Sequence, residues 1–142
     1  HEQRRQLMAP AVSMYATRGR SYMATDYVKA QRLRLQLQAD LEAALTQGDV
    51  LVCPCDPTLT PKVGEAPRLE GRELMWFEYG TVNLGNLTGA PGLSLPCGFT
   101  PDGLPVGLQV YGRPFDESAV LSFGYSYEQS TDWHRRRPPM WA

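Results

Sequence analysis

The sequence predicts an α/β fold in which a mixed β-sheet is flanked by helices. Apolar residues recur at helical spacing in several segments, and short apolar or alternating runs lie between them. Clusters of glycine and proline separate these segments. The resulting order of helix, strand, helix, hairpin and helix is typical of an α/β domain. Because the chain has 142 residues and no internal repeat, we expect residues 1–142 to belong to one domain.

A long helix is predicted to begin near Thr25 or Asp26 and to end at Gly48. A short side-chain oxygen at the start can satisfy a free backbone amide of the first turn. Glycine accepts the left-handed conformation that many helix C-termini need. One apolar stripe follows the helical repeat: Tyr27, Ala30, Leu33, Leu37, Leu41, Ala44 and Leu45.

The middle of the chain predicts a strand, a long loop and a second helix. Residues 50–53 form a continuous run of apolar side chains, which favours a buried and parallel strand. Prolines and glycines then break residues 54–71 into a loop long enough to suggest function or mobility. Residues 73–87 are predicted to be helical.

The last third predicts a hairpin followed by a helix. Residues 93–97 and 106–110 alternate in polarity, and turn-forming residues at 100–103 separate them. In this hairpin Gly103 serves the turn and Gly107 allows a close approach. Asp116 is the predicted N-cap of a helix over 116–130, and Phe115 and Val120 are placed for a hydrophobic staple. We expect the tail from Trp133 onward to be exposed.

Composition excludes several classes of function. The formal net charge is -1, so no basic field favours nucleic acid. No apolar run approaches the ~20 residues of a membrane span. Cys53, Cys55 and Cys97 are an odd number without a disulfide framework, which indicates reduced thiols in a cytoplasmic protein. No cluster of histidines and carboxylates has metal-ligand spacing, and we expect no cofactor.

Two linked runs of residues allow a more specific interpretation. Residues 86–98 read Asn-Leu-Thr-Gly-Ala-Pro-Gly-Leu-Ser-Leu-Pro-Cys-Gly, and residues 103–109 read Gly-Leu-Pro-Val-Gly-Leu-Gln. They resemble the Asn-Leu-x-Gly-x-Pro, Ser-x-Pro-x-Gly and Gly-Leu-Pro-Val-Gly-x-Gln motifs of the amidase signature family. Upstream, Ala30 with Arg34 and residues 49–54 resemble its Ala-x-x-x-Arg helix and Asp-x-x-x-x-Pro strand. The resemblance covers residues 25–138 and implies the C-terminal part of that family's mixed β-sheet.

The resemblance also implies a chemistry whose catalytic residues this chain does not contain. Members of the family hydrolyse amides with a Ser-cisSer-Lys triad, in which one serine attacks the carbonyl and a neutral lysine helps to relay its proton. The family's Gly-Gly-Ser-Ser-Gly-Gly stretch does not occur here, and neither Lys29 nor Lys62 lies in a matching motif. His1 rather than Met opens the chain. We therefore expect the C-terminal portion of an amidase, inactive by itself, with its triad upstream.

The resemblance places four residues near the substrate funnel: Thr58, Trp76, Tyr79 and Asn86. The two aromatic rings could line a pocket for an acyl group. Alternatively, they pack in the core or at an interface with another protein chain. The expected partners are a small amide substrate and the N-terminal part of the same fold, with a homodimer as a further candidate.

Two other functions remain open beside a stand-alone amidase. One is the amidase-type component of a glutamine-dependent tRNA amidotransferase, known as its A subunit. In that branch an aspartate lies seven positions before the motif asparagine and grips the substrate's amino group, whereas this chain has Tyr79 there. That branch's paired arginines also find no match, which favours the stand-alone amidase. The other is a scaffold or binding module that kept the fold without the active site.

Overall fold

The computed structural model describes residues 9–65, 68–69, 72–73 and 80–137. Within them the helices are α1 (Pro10–Arg18), α2 (Ala24–Leu45), α3 (Gly80–Thr88) and α4 (Glu117–Ser130), with 3₁₀ turns at Gly19–Ser21 and Trp133–Arg135. The strands are β1 (Leu51–Pro54), β2 (Arg68–Leu69), β3 (Arg72–Glu73), β4 (Gly92–Phe99) and β5 (Pro105–Tyr111). Compact packing divides the chain into His1–Gln36 and Leu37–Ala142, and the dividing point lies within α2.

The long helix α2 has different ends from those predicted. The backbone amide of Met23 donates a 3.1 Å hydrogen bond to Asp26 Oδ2. Asp26 therefore lies inside the first turn of the helix and accepts a hydrogen bond from the amide that precedes it, as the acidic residue of a capping box does. The prediction of Thr25 or Asp26 as the N-cap is wrong. The helix ends at Leu45, before Gly48. Arg113 bonds the carbonyls of both residues, so an arginine rather than a glycine satisfies this helix end.

A three-stranded antiparallel sheet follows α2, in the order β1-β5-β4. The predicted hairpin is confirmed as β4 and β5. In its turn, Gly103 has a φ of 81° and its amide donates to the Thr100 carbonyl at 2.9 Å. The predicted parallel orientation of residues 50–53 is wrong, because β1 pairs antiparallel with β5. β1 is only half-buried, since it lies at one edge of this sheet.

The hydrophobic core lies between α4 and one face of the sheet. Leu95, Val110 and Val120 are its buried centre. The half-buried residues around them are Val50, Leu93, Leu108, Phe123 and Tyr127. Gly124 brings α4 against Leu93, where a β-carbon would collide with the leucine side chain. This packing fixes which sheet face is apolar and leaves the other face for polar residues.

The start of α4 confirms the predicted cap but not the predicted staple. Asp116 Oδ1 accepts a 3.2 Å hydrogen bond from the amide of Ala119, so Asp116 is the N-cap. Phe115 has a φ of 65° and is 95% exposed, whereas Val120 is buried in the core. The staple is therefore wrong, because the left-handed backbone at Phe115 leaves its ring in solvent.

Two further predictions need correction. Arg72–Glu73 pairs with Arg68–Leu69 as a short strand, so the predicted second helix does not begin at residue 73. α3 begins at Gly80, and residues 74–79 lie outside the described part of the chain. The tail is not wholly exposed, because Trp133 is half-buried with its ring 6.0 Å from that of Phe99. The Arg136 guanidinium lies 4.5 Å from the Trp133 ring centre and holds this turn by a cation–π contact.

Candidate functional site

The sheet face opposite α4 carries a row of polar side chains. In the antiparallel register Cys53 and Ser94 both pair with Gln109, one from β1 and the other from β4. Directly paired residues of an antiparallel sheet extend to the same face. Cys55 follows β1, and its amide donates to the Gly107 carbonyl at 3.0 Å, which continues the pairing by one residue.

Cys55, Ser94 and Gln109 form a hydrogen-bonded group, which we call the polar cluster. Ser94 Oγ donates to Gln109 Oε1 at 2.8 Å. Cys55 Sγ lies 3.1 Å from Ser94 Oγ and donates to Gln109 Oε1 at 3.8 Å. Three segments that are far apart in sequence therefore meet at one amide oxygen.

Glycines provide the space for this cluster. A β-carbon at Gly107 would lie 2.8 Å from Cys55 Sγ, and one at Gly92 would lie 3.0 Å from Gln109 Nε2. A contact as short as that at Gly107 is one that real β-carbons essentially never show, and the contact at Gly92 is tighter than nine in ten real ones. The predicted role of Gly107 in a close approach is confirmed, and the atom that approaches is the Cys55 sulphur.

Helix α3 lies over the other end of the same sheet face. A β-carbon at Gly85 would lie 2.7 Å from Tyr111 Cε1, and Tyr111 is only 2% exposed. From α2, Gln38 Nε2 donates to the carbonyl of Thr88 at 2.7 Å. Thr88 is buried, and its hydroxyl donates to the carbonyl of Leu84 at 2.7 Å. These contacts fix α3, which carries Asn86, against the sheet.

Burial holds the neighbouring thiols in their neutral form. Desolvation, followed by the nearby Cys55, raises the pKa of Cys53 above its ordinary value of 9.0. The same two causes in the same order raise the pKa of Cys97. Burial also raises the pKa of Tyr111, partly offset by a hydrogen bond with the backbone of Gly85. Because the thiolate is the nucleophilic form of cysteine, Cys53 and Cys97 lack the environment of a catalytic thiol.

The polar cluster can bind and orient a ligand through hydrogen bonds, but none of its three residues is a base. Among the described residues, the groups hydrogen-bonded to the Ser94 hydroxyl are an amide and a thiol, and a nucleophilic serine needs a partner that accepts its proton. Lys29 and Lys62 are both exposed, on α2 and in the loop after β1. Among residues 9–65, 68–69, 72–73 and 80–137, no group of three or more histidines, cysteines and carboxylates is placed to hold a metal ion. Nor does any helix of the described residues have the length and apolarity to cross a membrane.

Two of the four predicted funnel residues, Thr58 and Asn86, belong to the described part of the chain. Thr58 is half-buried, and both its amide and its hydroxyl donate to Asp56 Oδ1, at 2.8 and 2.7 Å. Asn86 is exposed on α3. No hydrogen bond joins these two residues in the described structure. Trp76 and Tyr79 lie outside the described residues.

The sequence did not predict the polar cluster. Ser94 and Gln109 belong to the family motifs, and their alternation with apolar neighbours was a usable signal. Nothing in the local sequence connects Cys55 with either of them. Its place follows only from the register between β1 and β5.

Comparison with known proteins agrees with this fold. Residues 1–121 match the family described as Amidase. This chain belongs to the amidase family. The predicted resemblance and the predicted α/β fold class are both confirmed.

The relatives of this amidase-family chain include components of tRNA amidotransferases. It is 48% identical over 119 residues to the A subunit of the glutamyl-tRNA(Gln) amidotransferase of Synechococcus sp. (strain JA-2-3B'a(2-13)), covering 84% of this chain and 22% of the relative. It is 40% identical over 138 residues to the protein of the same name from Thermodesulfovibrio yellowstonii, covering 96% and 27%. The chain therefore spans about a quarter of the length of these curated relatives.

Solved structures of proteins from the same family superpose on this chain. A crystal structure of an amidase superposes with a TM-score of 0.78 at 29% identity, over 91% of this chain and 30% of the other. The A subunit of the glutamyl-tRNA(Gln) amidotransferase of Thermotoga maritima superposes with a TM-score of 0.51 at 29% identity, over 84% and 25%.

Proposed function

We propose that the complete protein is a stand-alone amidase that hydrolyses a small carboxamide to a carboxylate and ammonia or an amine. In this proposal the Ser-cisSer-Lys triad lies outside the 142 residues. The chain contributes part of the β-sheet and, through Thr58, Trp76, Tyr79 and Asn86, part of the substrate funnel. The observation that carries the proposal is the superposition on a solved amidase over 91% of the chain, with a TM-score of 0.78.

The chemistry of the sheet face supports an uncharged substrate. The polar cluster presents an amide, a hydroxyl and a thiol, none of which carries a charge when protonated. A site for an ionised substrate group would be expected to offer a charged partner, because desolvating an unpaired charge is costly. A neutral carboxamide needs only donors and acceptors of the kind that this face provides.

A second candidate function is that of the A subunit of a tRNA amidotransferase, and sequence identity favours it. The 48% identity to the Synechococcus relative exceeds the 29% identity to the solved amidase. Against it, Tyr79 stands where that branch has an aspartate that grips the substrate's amino group. A tyrosine offers no full negative charge for that role at neutral pH.

One experiment separates the two functions. The complete reading frame that contains this chain is expressed, and ammonia release is measured from a panel of small carboxamides that includes glutamine. A stand-alone amidase releases ammonia from simple amides without tRNA or added protein components. If release requires glutamine, further protein components and charged tRNA, the amidotransferase function replaces the first proposal.

The same preparation tests whether the protein is catalytic at all. The control is the complete protein with alanine at the serine of an upstream Gly-Gly-Ser-Ser-Gly-Gly stretch. If the complete reading frame encodes no such stretch and releases no ammonia under either condition, both enzymatic proposals fail and the scaffold function remains.

A further inference from the structure

One side of α4 is buried, and the other side faces solvent. Val120 lies in the hydrophobic core, and Gly124 packs against Leu93 of β4. On the solvent side, neighbouring residues of the helix form a surface that we call the outer face: Ser118, Leu121, Ser122, Tyr125 and Gln129. Leu121 and Tyr125, at its centre, are 61% and 67% exposed. Because the inner side alone packs on the sheet, these two side chains are free to contact another molecule.

The composition of the outer face is that of a protein-binding surface. The cores of protein interfaces are depleted of charged residues and enriched in tyrosine relative to the rest of the surface. None of the five residues of the outer face is charged. Leu121 and Tyr125 are four positions apart, so their side chains are neighbours on the helix. By contrast, the exposed residues of α2 include Lys29, Arg32 and Asp40.

Opposite charges lie at the two ends of the outer face. The start of α4 is acidic, because the N-cap aspartate is followed by Glu117. The segment after the helix is basic, because residues 135–137 are three arginines. Arg135 lines one surface hollow together with Gln129, the last residue of the outer face. Asp132 lines the same hollow, but its carboxylate is paired with the second of the three arginines at 3.8 Å.

We infer that the outer face binds the outer face of a second copy of this chain, with the two α4 helices antiparallel about a two-fold axis. An antiparallel pair places the acidic start of each helix beside the basic end of the other, and the two-fold axis makes these two contacts identical. Leu121 and Tyr125 lie two positions before and two positions after residue 123. An axis at that level therefore packs Leu121 of each copy against Tyr125 of the other. This inference does not depend on the proposed substrate.

The size of the outer face predicts a weak dimer. Five residues on each side are fewer than the roughly 20 to 30 of a standard protein–protein interface. The apolar contact between the helices is correspondingly small, so the charges at the two ends should decide how tightly the copies associate. We therefore expect a dimer that dissociates on dilution.

Cysteine crosslinking in the complete protein tests the position of the axis. In the inferred pair, Ser122→Cys brings the two introduced thiols to the same level within about 3 Å along the helix axis, whereas Ser118→Cys separates them by about 15 Å. Both serines are exposed on the outer face. After treatment with the thiol oxidant diamide, we expect at least tenfold more covalent dimer from Ser122→Cys than from Ser118→Cys. The parent protein gives the background from its own cysteines. Equal yields from the two variants, or yields no higher than that background, would overturn the inference.

Charge reversal in the complete protein tests the identity of the partner. Glu117→Arg and Arg135→Glu each place like charges together and should each raise the dissociation constant of the dimer about tenfold in analytical ultracentrifugation. The double variant restores opposite charges and should recover most of that loss. Asp102→Arg, at the exposed hairpin turn, is the matched control and should leave the constant unchanged. A parent that is monomeric at every concentration, a dimer that neither reversal weakens, or a double variant weaker than both single variants would each refute a second copy at this face.

Discussion

Arg113 should contribute more to stability than its visible ion pair suggests. Its Nη2 atom donates to the carbonyls of Leu45 at 2.6 Å and Gly48 at 2.9 Å. Its Nη1 atom lies 3.7 Å from Asp49 Oδ1, but the Asp49 side chain is 92% exposed. The hydrogen bonds therefore satisfy the C-terminal end of α2 and join it to the loop after β5, while the ion pair is screened by water.

Replacing Arg113 by alanine tests this assignment. A hydrogen bond from a charged group contributes about 1.5 to 3 kcal/mol when it is shielded from water. Because one of the two bonds is solvent-exposed, we expect Arg113→Ala to lower the free energy of unfolding by about 2 kcal/mol in total. Asp49→Asn keeps both hydrogen bonds and should change that free energy by less than about 0.5 kcal/mol.

The assay is urea unfolding of the complete protein, followed by tryptophan fluorescence and circular dichroism, for both variants and the parent. Salt titration adds a second readout, since only the exposed ion pair should weaken at high ionic strength. An Asp49→Asn variant as destabilised as Arg113→Ala would refute the reasoning, because the ion pair would then dominate. So would an Arg113→Ala variant with parental stability.

Three further predictions follow from the sheet. Gly85→Ala should destabilise the protein by about 1 to 2 kcal/mol, because crowding against the buried Tyr111 ring outweighs a helix-propensity gain of about 1 kcal/mol. The control Asn86→Ala, at the exposed neighbouring position, should not destabilise the protein. A Gly85→Ala variant as stable as the parent would contradict the close packing of α3 against Tyr111. A double-mutant cycle of Ser94→Ala and Gln109→Leu in urea unfolding should give a coupling energy of about 0.5 to 1.5 kcal/mol. A coupling energy of zero would show that these two side chains do not stabilise each other. Above pH 9.0 the free energy of unfolding should fall as pH rises, because the raised pKa values of Cys53 and Cys97 make the folded chain bind protons more tightly than the unfolded chain. The double variant Cys53→Ala/Cys97→Ala should show a shallower fall. If its free energy of unfolding falls with pH as steeply as that of the parent, these thiols are not the cause.

Local chemistry was sufficient to predict several elements. The hairpin of β4 and β5 follows from alternating polarity on both sides of a turn whose glycine needs a positive φ. The Asp116 cap follows from a short side chain that reaches an amide three residues ahead. The family followed from motifs that are contiguous in the chain. In each case the interacting groups lie within a few residues of each other, so a local pattern contains the information.

The predictions that failed depended on local geometry that the pattern does not fix. A staple between Phe115 and Val120 requires a particular backbone conformation before the helix, and the left-handed φ at Phe115 excludes it. At the start of α2, Asp26 could act either as the cap or from inside the first turn. In the structure the backbone amide of Met23 donates to the Asp26 carboxylate, so Asp26 acts from inside the first turn.

By itself the sequence determined the family, the hairpin, the last helix and the apolar stripe of α2, because each is specified by the order and spacing of nearby residues. Only the tertiary structure decided that β1 is an antiparallel edge strand. It also decided that Cys55 meets Ser94 and Gln109, and that Leu41 and Leu45 of the α2 stripe are buried. Strand order, register and burial depend on contacts between segments distant in the chain. The periodicity of one segment does not specify which other segment will pair with it or pack against it.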